Sequence, residues 1–245
     1  MTQPSVLPGN RPAWVTFDCY GTLARWDEGL LEVVNEILSR RDASGVDARR
    51  FIEVYDRHEH AAEQTPPHRS FKEVSALSLR AALEELGLSH LDGDAELLTG
   101  RIASMPPFPE VPTALERLAR AGFRLCVISN TDDDLIAGNV AQMGGHLDRV
   151  ISAEQAGAYK PSRRIFEYAH AALGVSKADV VHVCASPHLD LAAAREMGFR
   201  CVWVDRGTGR EPLPDYVPDA TVASLEAVVE LFEATGWMGG ADAPT

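Results

Sequence analysis

The chain has 245 residues, of which 45% are apolar and 24% charged, and its net charge is −13. That length buries a sizeable core without disulfides or structural metal. The acidic balance, with Lys and Arg scattered among acids, argues against nucleic acid and against an anionic membrane surface as partners.

The first apolar run, WVTFD (14–18), ends on a lone carboxylate, Asp18, and is followed by Cys19-Tyr20-Gly21-Thr22. Residues 28–104 carry four helical patterns and no convincing strand: EGLLEVVNEILSRR, DARRFIEVYDRHEHAAEQ, SFKEVSALSLRAALEELG and DAELLTGRIASM. A Pro-rich stretch, MPPFPEVP (105–112), then reads as a stiff connector. Beyond it, RLCVISN (124–130), RVISA (149–153), VVHVCAS (180–186) and RCVWVD (200–205) read as strands. Helical patterns at 112–122, 163–174 and 191–198 fall between them, each ending in Gly. Strands alternating with helices predict an α/β fold, a doubly wound parallel sheet with a Rossmann-like core. The core takes 1–26 and 109–245, and an all-helical cap, 27–108, is inserted after the first strand. Ligands in such sheets sit at the carboxyl ends of the strands. Asp18, Ser129, Asn130, Ser186 and Asp205 are therefore expected to crowd one edge, with the cap above them to exclude water.

Cys19, Cys126, Cys184 and Cys201 form no C-x-x-C pair and read as buried free thiols in a reducing cytosol. The N-terminal residues lack the basic-then-apolar pattern of a secretory signal. No apolar run approaches the roughly 18 residues that span a bilayer. A cytoplasmic location is expected.

Four pieces fall at strand ends: FDCYGTL with Asp18, ISNT with Ser129 and Asn130, YKP with Lys160, and VCASPHLD with Ser186 and Asp190. In this order, and with a helical insert after the first, they resemble the haloacid dehalogenase superfamily over nearly the whole chain. The Tyr in FDCYGTL is similar to the (S)-2-haloacid dehalogenase branch. The resemblance implies that Asp18 is the nucleophile and that Lys160 pairs with Asp18 and Asp190. It also implies a cap Arg that clamps the substrate carboxylate, for which Arg57 in VYDRHEHAAE is the nearest candidate.

Two departures from the superfamily's phosphatases narrow the chemistry. The acid two residues after the nucleophile is replaced by Tyr20, and the Gly-Asp-Ser triplet by Cys184-Ala185-Ser186. Ala185 cannot ligate Mg²⁺, which wants oxygen donors. A carboxylate attacking a phosphate dianion meets repulsion of about 4 kcal/mol per charge pair at 4 Å and an effective dielectric near 20. Halide leaves as a stable anion and needs neither metal nor acid. The expected reaction is metal-independent hydrolysis of a short 2-haloacid through an aspartyl ester, giving 2-hydroxy acid and halide, with no cofactor. Ser129, Asn130 and the start of the next helix offer donors to the carboxylate or halide, with Tyr20, Thr22 and Ser186 as further substrate contacts. Asp190 orients or activates the water.

Other readings stay open at this stage. They are a phosphatase of the same superfamily, and a hydrolase of another small α-substituted acid, including a strained ring amine. A non-catalytic binder and a Cys19 or Cys184 nucleophile are further ones. Asp132, Asp133 and Asp134 are expected to cap a helix rather than bind metal. His58 and His60, two residues apart, do not share a helical face, while His188 lies in the last motif. Apolar cap faces would suit a homodimer.

Overall fold

Successive residues of the first strand, β1 (Trp14–Phe17), go to opposite faces of one sheet: Trp14 packs into one apolar cluster, Val15 and Phe17 into another. The same alternation continues in β2 (Arg124–Ser129), β4 (Val180–Cys184) and β5 (Arg200–Val204). With β3 (Arg149–Ser152) and β6 (Ala220–Val222) they form a six-stranded sheet in the order β3-β2-β1-β4-β5-β6, parallel throughout. This computed structural model describes residues 6–41 and 45–239.

One face of the sheet is covered by α5 (Val111–Arg120) and α10 (Leu225–Ala234), through Leu115, Leu118, Val228 and Phe232. The other is covered by α8 (Arg163–Leu173) and α9 (Ala192–Met197), through Ile165, Phe166 and Ala193. Two further helices, α6 (Asp133–Val140) and the single turn α7 (Ala153–Ala156), follow β2 and β3. Burying each of the larger of these side chains contributes about 1.5–3 kcal/mol.

Five helices separate β1 from β2 in the chain; four precede the Pro-rich stretch, α1 (Trp26–Ser39), α2 (Ala48–Glu63), α3 (Phe71–Glu85) and α4 (Asp94–Ser104), and α5 follows it. Leu30, Val33 and Ile37 of α1, Phe51 and Val54 of α2, Leu79 and Leu83 of α3 and Leu98 of α4 are fully buried and belong to the same apolar cluster as Trp14. The aspartates after β2 stand at the start of α6 but make no side-chain cap bond to it among the described residues; Asp132 caps a different helix. Asp132 accepts hydrogen bonds from the backbone N–H groups of Phe71 (2.7 Å) and Lys72 (3.0 Å), closing the N-terminus of α3 from across the interface.

Two elements escape the sequence patterns. The strand β6 has three residues, and α10 follows it directly. The predicted helix at 191–198 begins earlier, as a π-helical turn Pro187–Leu191. Among the described residues no helix is long and apolar enough to cross a membrane.

The strand order places β1 between β2 and β4, so the chain runs outward on one side of β1 and then returns to its other side. The end of β1 is thus a topological switch point, where the crevice beyond the strands is widest.

Candidate active site

Asp18 lies one residue past β1 at that switch point, its backbone N–H bonded to Val183 O at 3.0 Å. A tight turn follows. Cys19 O accepts from the N–H groups of Thr22, Leu23 and Ala24, and Gly21 takes φ +80°, a conformation open to residues without a Cβ. The turn brings Thr22 back under Asp18. Its Oγ1 donates to Asp18 Oδ2 at 2.7 Å and accepts from Ala185 N at 2.8 Å, which joins the end of β1 to the end of β4.

Lys160 reaches the same carboxylate from the loop before α8. It is wholly buried, and its Nζ lies 2.9 Å from Asp18 Oδ1 and 2.8 Å from Asp190 Oδ1. Asp190, also wholly buried, receives His182 Nε2 at 2.9 Å, and His182 Nδ1 lies 2.8 Å from Thr16 Oγ1. A polar chain therefore runs Thr16–His182–Asp190–Lys160–Asp18 beneath the strand ends. His182 went unremarked in the sequence. The signal was a lone His in the apolar run VVHVC, where a buried imidazole needs polar partners. Phe166 packs edge-on against that imidazole, 5.5 Å between ring centroids.

The charges settle unevenly. Burial works against the Lys160 ammonium, but the two carboxylates outweigh it and hold its pKa above the usual lysine range. Burial pushes Asp190 up, yet Lys160 and His182 more than offset this and leave it below the usual range. At Asp18 burial prevails over Lys160 and Thr22, and its carboxyl stands above the usual range. Sequence reasoning anticipated only the pull of Lys160. The desolvation of a strand-end acid under a helical block was the stronger effect.

Above Asp18 is a cavity of about 220 Å³. Tyr20, Ser129, Asn130 and Ser186 line it from the strand ends, with His188 from the turn after β4. Thr22 does not line it and serves as the prop described above. Tyr20 OH donates to Asn139 Oδ1 at 3.0 Å, and burial pushes its phenol up. Asn130 is committed to other groups: Oδ1 accepts from Lys160 N at 2.7 Å, and Nδ2 faces Glu63 at 3.2 Å. It positions the lysine loop. Ser129 is wholly buried, and its Oγ has no hydrogen-bond partner among the described residues.

Arg57 is not brought to the site. It projects from the outer side of α2, 57% exposed, and bonds Glu85 Oε1 at 2.6 Å, with His58 on the other oxygen. It lies one residue from Asp56, which does line the cavity, and a helix turns adjacent residues about 100° apart. An Arg57→Ala variant is expected to change the substrate KM by less than about twofold, since exposed ion pairs contribute little; steady-state kinetics checks this. The Arg that does reach the cavity is Arg210, in the loop after β5. No periodicity marks that loop, so sequence reasoning missed it. Both of its terminal nitrogens are bonded to Asp27, at 3.0 and 2.8 Å.

The residues do not fit a magnesium centre. Ala185 presents no oxygen side chain where a ligand is needed, and the Asp18 and Asp190 carboxylates converge on an ammonium. His182, Cys184 and Asp190 offer ligand atoms within 4.8 Å of one another. Here too Asp190 Oδ1 is held by Lys160, and burial pushes the Cys184 thiol well above its usual range. The same effect holds Cys19 protonated, which removes the thiolate needed for a cysteine nucleophile.

Residues 13–198 match the haloacid dehalogenase-like hydrolase family. The chain is 32% identical over 165 residues to haloacetate dehalogenase H-2 of Moraxella sp. (strain B), covering 66% of this chain and 73% of that protein. It is 32% identical over 166 residues to the (S)-2-haloacid dehalogenase of Pseudomonas sp. (strain YL), covering 67% and 71%. Its fold is shared with the L-2-haloacid dehalogenase of Xanthobacter autotrophicus, solved with chloropropionic acid covalently bound. The TM-score there is 0.76 at 21% identity, over 91% of this chain and 98% of that one.

Proposed function

Because this chain belongs to the haloacid dehalogenase-like hydrolases, we propose that it hydrolyses the carbon–halogen bond of a short 2-haloacid, with Asp18 as nucleophile and without metal. The observation that carries this reading is the Asp18 carboxylate itself. It faces a cavity, is propped by Thr22 and Lys160, and has Tyr20 and Ala185 where a phosphatase needs an acid and a metal ligand.

An Asp18 oxygen attacks C2, and the carbon–halogen bond breaks with its electron pair on the halide. The product is an ester between Asp18 and the acid. Water then adds to the Asp18 carbonyl carbon, and the acyl–oxygen bond breaks. The 2-hydroxy acid leaves, and the Asp18 carboxylate returns. The sum is haloacid plus water giving hydroxy acid, halide and a proton. We assign to Asp190, held ionised by Lys160 and with Oδ2 unpaired among the described residues, the role of orienting or activating the water. Ser129 and Ser186 offer hydroxyls to the substrate carboxylate. The helical block α1–α4 is read as a cap that keeps bulk water from the ester.

The test is chloride release from 2-chloropropanoate in EDTA, beside p-nitrophenyl phosphate hydrolysis with magnesium. The expected result is chloride release that magnesium does not change. Its acid limb should lie above the pH set by an ordinary aspartate, about 3.9, because burial raises Asp18 and only its ionised form attacks. Magnesium-dependent phosphate release without chloride would replace this reading by the phosphatase one.

A further inference from the structure

Three carboxylates of α2 line the cavity that Asp18 faces: Asp56, Glu59 and Glu63. Spacings of three and four residues put them on one face of the helix. Glu59 is only 7% exposed, and its side chain accepts one hydrogen bond among the described residues, from Tyr55 OH at 2.7 Å. Asp56 accepts none there on its side chain, and Glu63 shares the amide of Asn130. Arg210 is the only Arg or Lys lining the cavity among the described residues, and its charge is answered by Asp27. A plain haloacid would bring another negative charge to this wall.

Two independent observations point to a ligand here, the first of them to a cationic one. Tyr20 and Trp26, ring centroids 5.1 Å apart, line the same cavity, and aromatic faces attract cations. Ser129, also lining it, is wholly buried, and its hydroxyl has no partner among the described residues. A buried orphan hydroxyl in a cavity wall fits a polar ligand group.

We infer that the substrate of this site carries an ammonium group beside its carboxylate. The amine docks on Asp56, Glu59 and Glu63 against Tyr20 and Trp26. The carboxylate takes the Ser129 and Ser186 hydroxyls, and the halogenated carbon meets Asp18. This rests on the displacement chemistry proposed above and narrows its substrate from 2-haloacids to amino-substituted ones. The chemical balance is unchanged: the Asp18–carbon bond forms as the carbon–halogen bond breaks, and water releases amino hydroxy acid, halide and a proton. Burial, then the neighbouring Asp56, pushes the Glu59 carboxyl up to about 8, and burial pushes Asp56 to about 6. An adjacent cation favours their ionised forms.

The matched probes are 2-chloropropanoate and 3-amino-2-chloropropanoate, which differ by the amine alone. Chloride release is measured for both, with each enantiomer, on the wild type, Glu59→Gln and Asp56→Asn. Calorimetry on the corresponding products, lactate and 3-amino-2-hydroxypropanoate, runs alongside. The expected kcat/KM favours the amino compound by about tenfold or more, and either substitution shrinks that ratio by a similar factor. Glu59→Gln keeps an acceptor for Tyr55; Asp56→Asn, at a partly exposed position, supplies the answer if the first variant fails to fold. If 2-chloropropanoate is turned over as well as its amino partner, the inference falls and the dehalogenase reading stands. If neither releases chloride but the amino product alone binds, and Glu59→Gln abolishes that, the dehalogenase reading falls and the ammonium site stands. If neither reacts and neither product binds preferentially, both fall.

Discussion

An Asp18→Asn variant is expected to release no halide above background, a loss of about four orders of magnitude or more, as befits removal of the proposed nucleophile. The amide is a poor nucleophile, and nothing else at the strand end can replace it, since the nearby thiols are held protonated by burial. The same variant should be at least as stable as the wild type at pH 8. Sign matters here. Burial raises the folded pKa of Asp18 above its unfolded value. The ionised acid therefore costs stability above the unfolded pKa, and the amide removes that cost. Chemical denaturation measures this, and a marked loss of stability would mean that Asp18 is mainly a structural ligand of Lys160. Isotope placement supplies a second check. In a single turnover in ¹⁸O water, the label should enter the Asp18 carboxylate and not the hydroxy acid, because the acyl–oxygen bond is the one that breaks. Label in the product would indicate direct attack of water on carbon.

Lys160→Met is expected to have the larger structural effect. It leaves two buried carboxylates, Asp18 and Asp190, without the ammonium that separates them. Breaking a buried pair on one side costs about 3–5 kcal/mol, a large part of the roughly 5–15 kcal/mol that holds a domain folded. With the ammonium gone, the pKa of both acids rises. The variant's deficit relative to wild type should then grow as pH rises and shrink as it falls, since acid protonates the stranded carboxylates. Urea midpoints at pH 5.5 and pH 8, each against wild type, read the sign. A deficit equal at both values would show that the lysine contributes packing rather than charge. Halide release in the surviving fraction should need a higher pH, because Asp18 must lose its proton without help.

Much of this architecture is legible from residue order. Apolar runs bounded by Gly and followed by single polar groups mark five strands and their functional ends, and the all-helical stretch between the first two needs only periodicity. The failures are local. Ala220–Val222 is too short to show a period of two, and it follows a run of Pro and Asp. In α2 attention to a cationic clamp singled out Arg57, while the residues that face the cavity are its acidic neighbours on the opposite side. The i, i+3, i+7 pattern of Asp56, Glu59 and Glu63 was present, but a row of carboxylates on a helix ordinarily means a solvated face. Only the docking of α2 over the strand ends turns that face inward. Likewise, Asp190 falls below Asp18 because His182 joins Lys160 beside it, whereas Asp18 has only the Thr22 hydroxyl in addition, and the fold alone brings these groups together.

The amide of Asn139 ties three distant stretches together. It accepts from Tyr20 OH at the cavity wall and donates to the carbonyls of Ile102 and Met105, where the helical block returns to the sheet. Gly138 beside it lies so close to Ala103 O that a Cβ would sit 2.3 Å from that oxygen. The helical block is consequently not a freely exchangeable module. A chimera that transplants it from a relative must import residues 102–105 together with a matching Gly-Asn pair and the Tyr20 hydroxyl, or the joint will set the transplanted roof at the wrong height above Asp18.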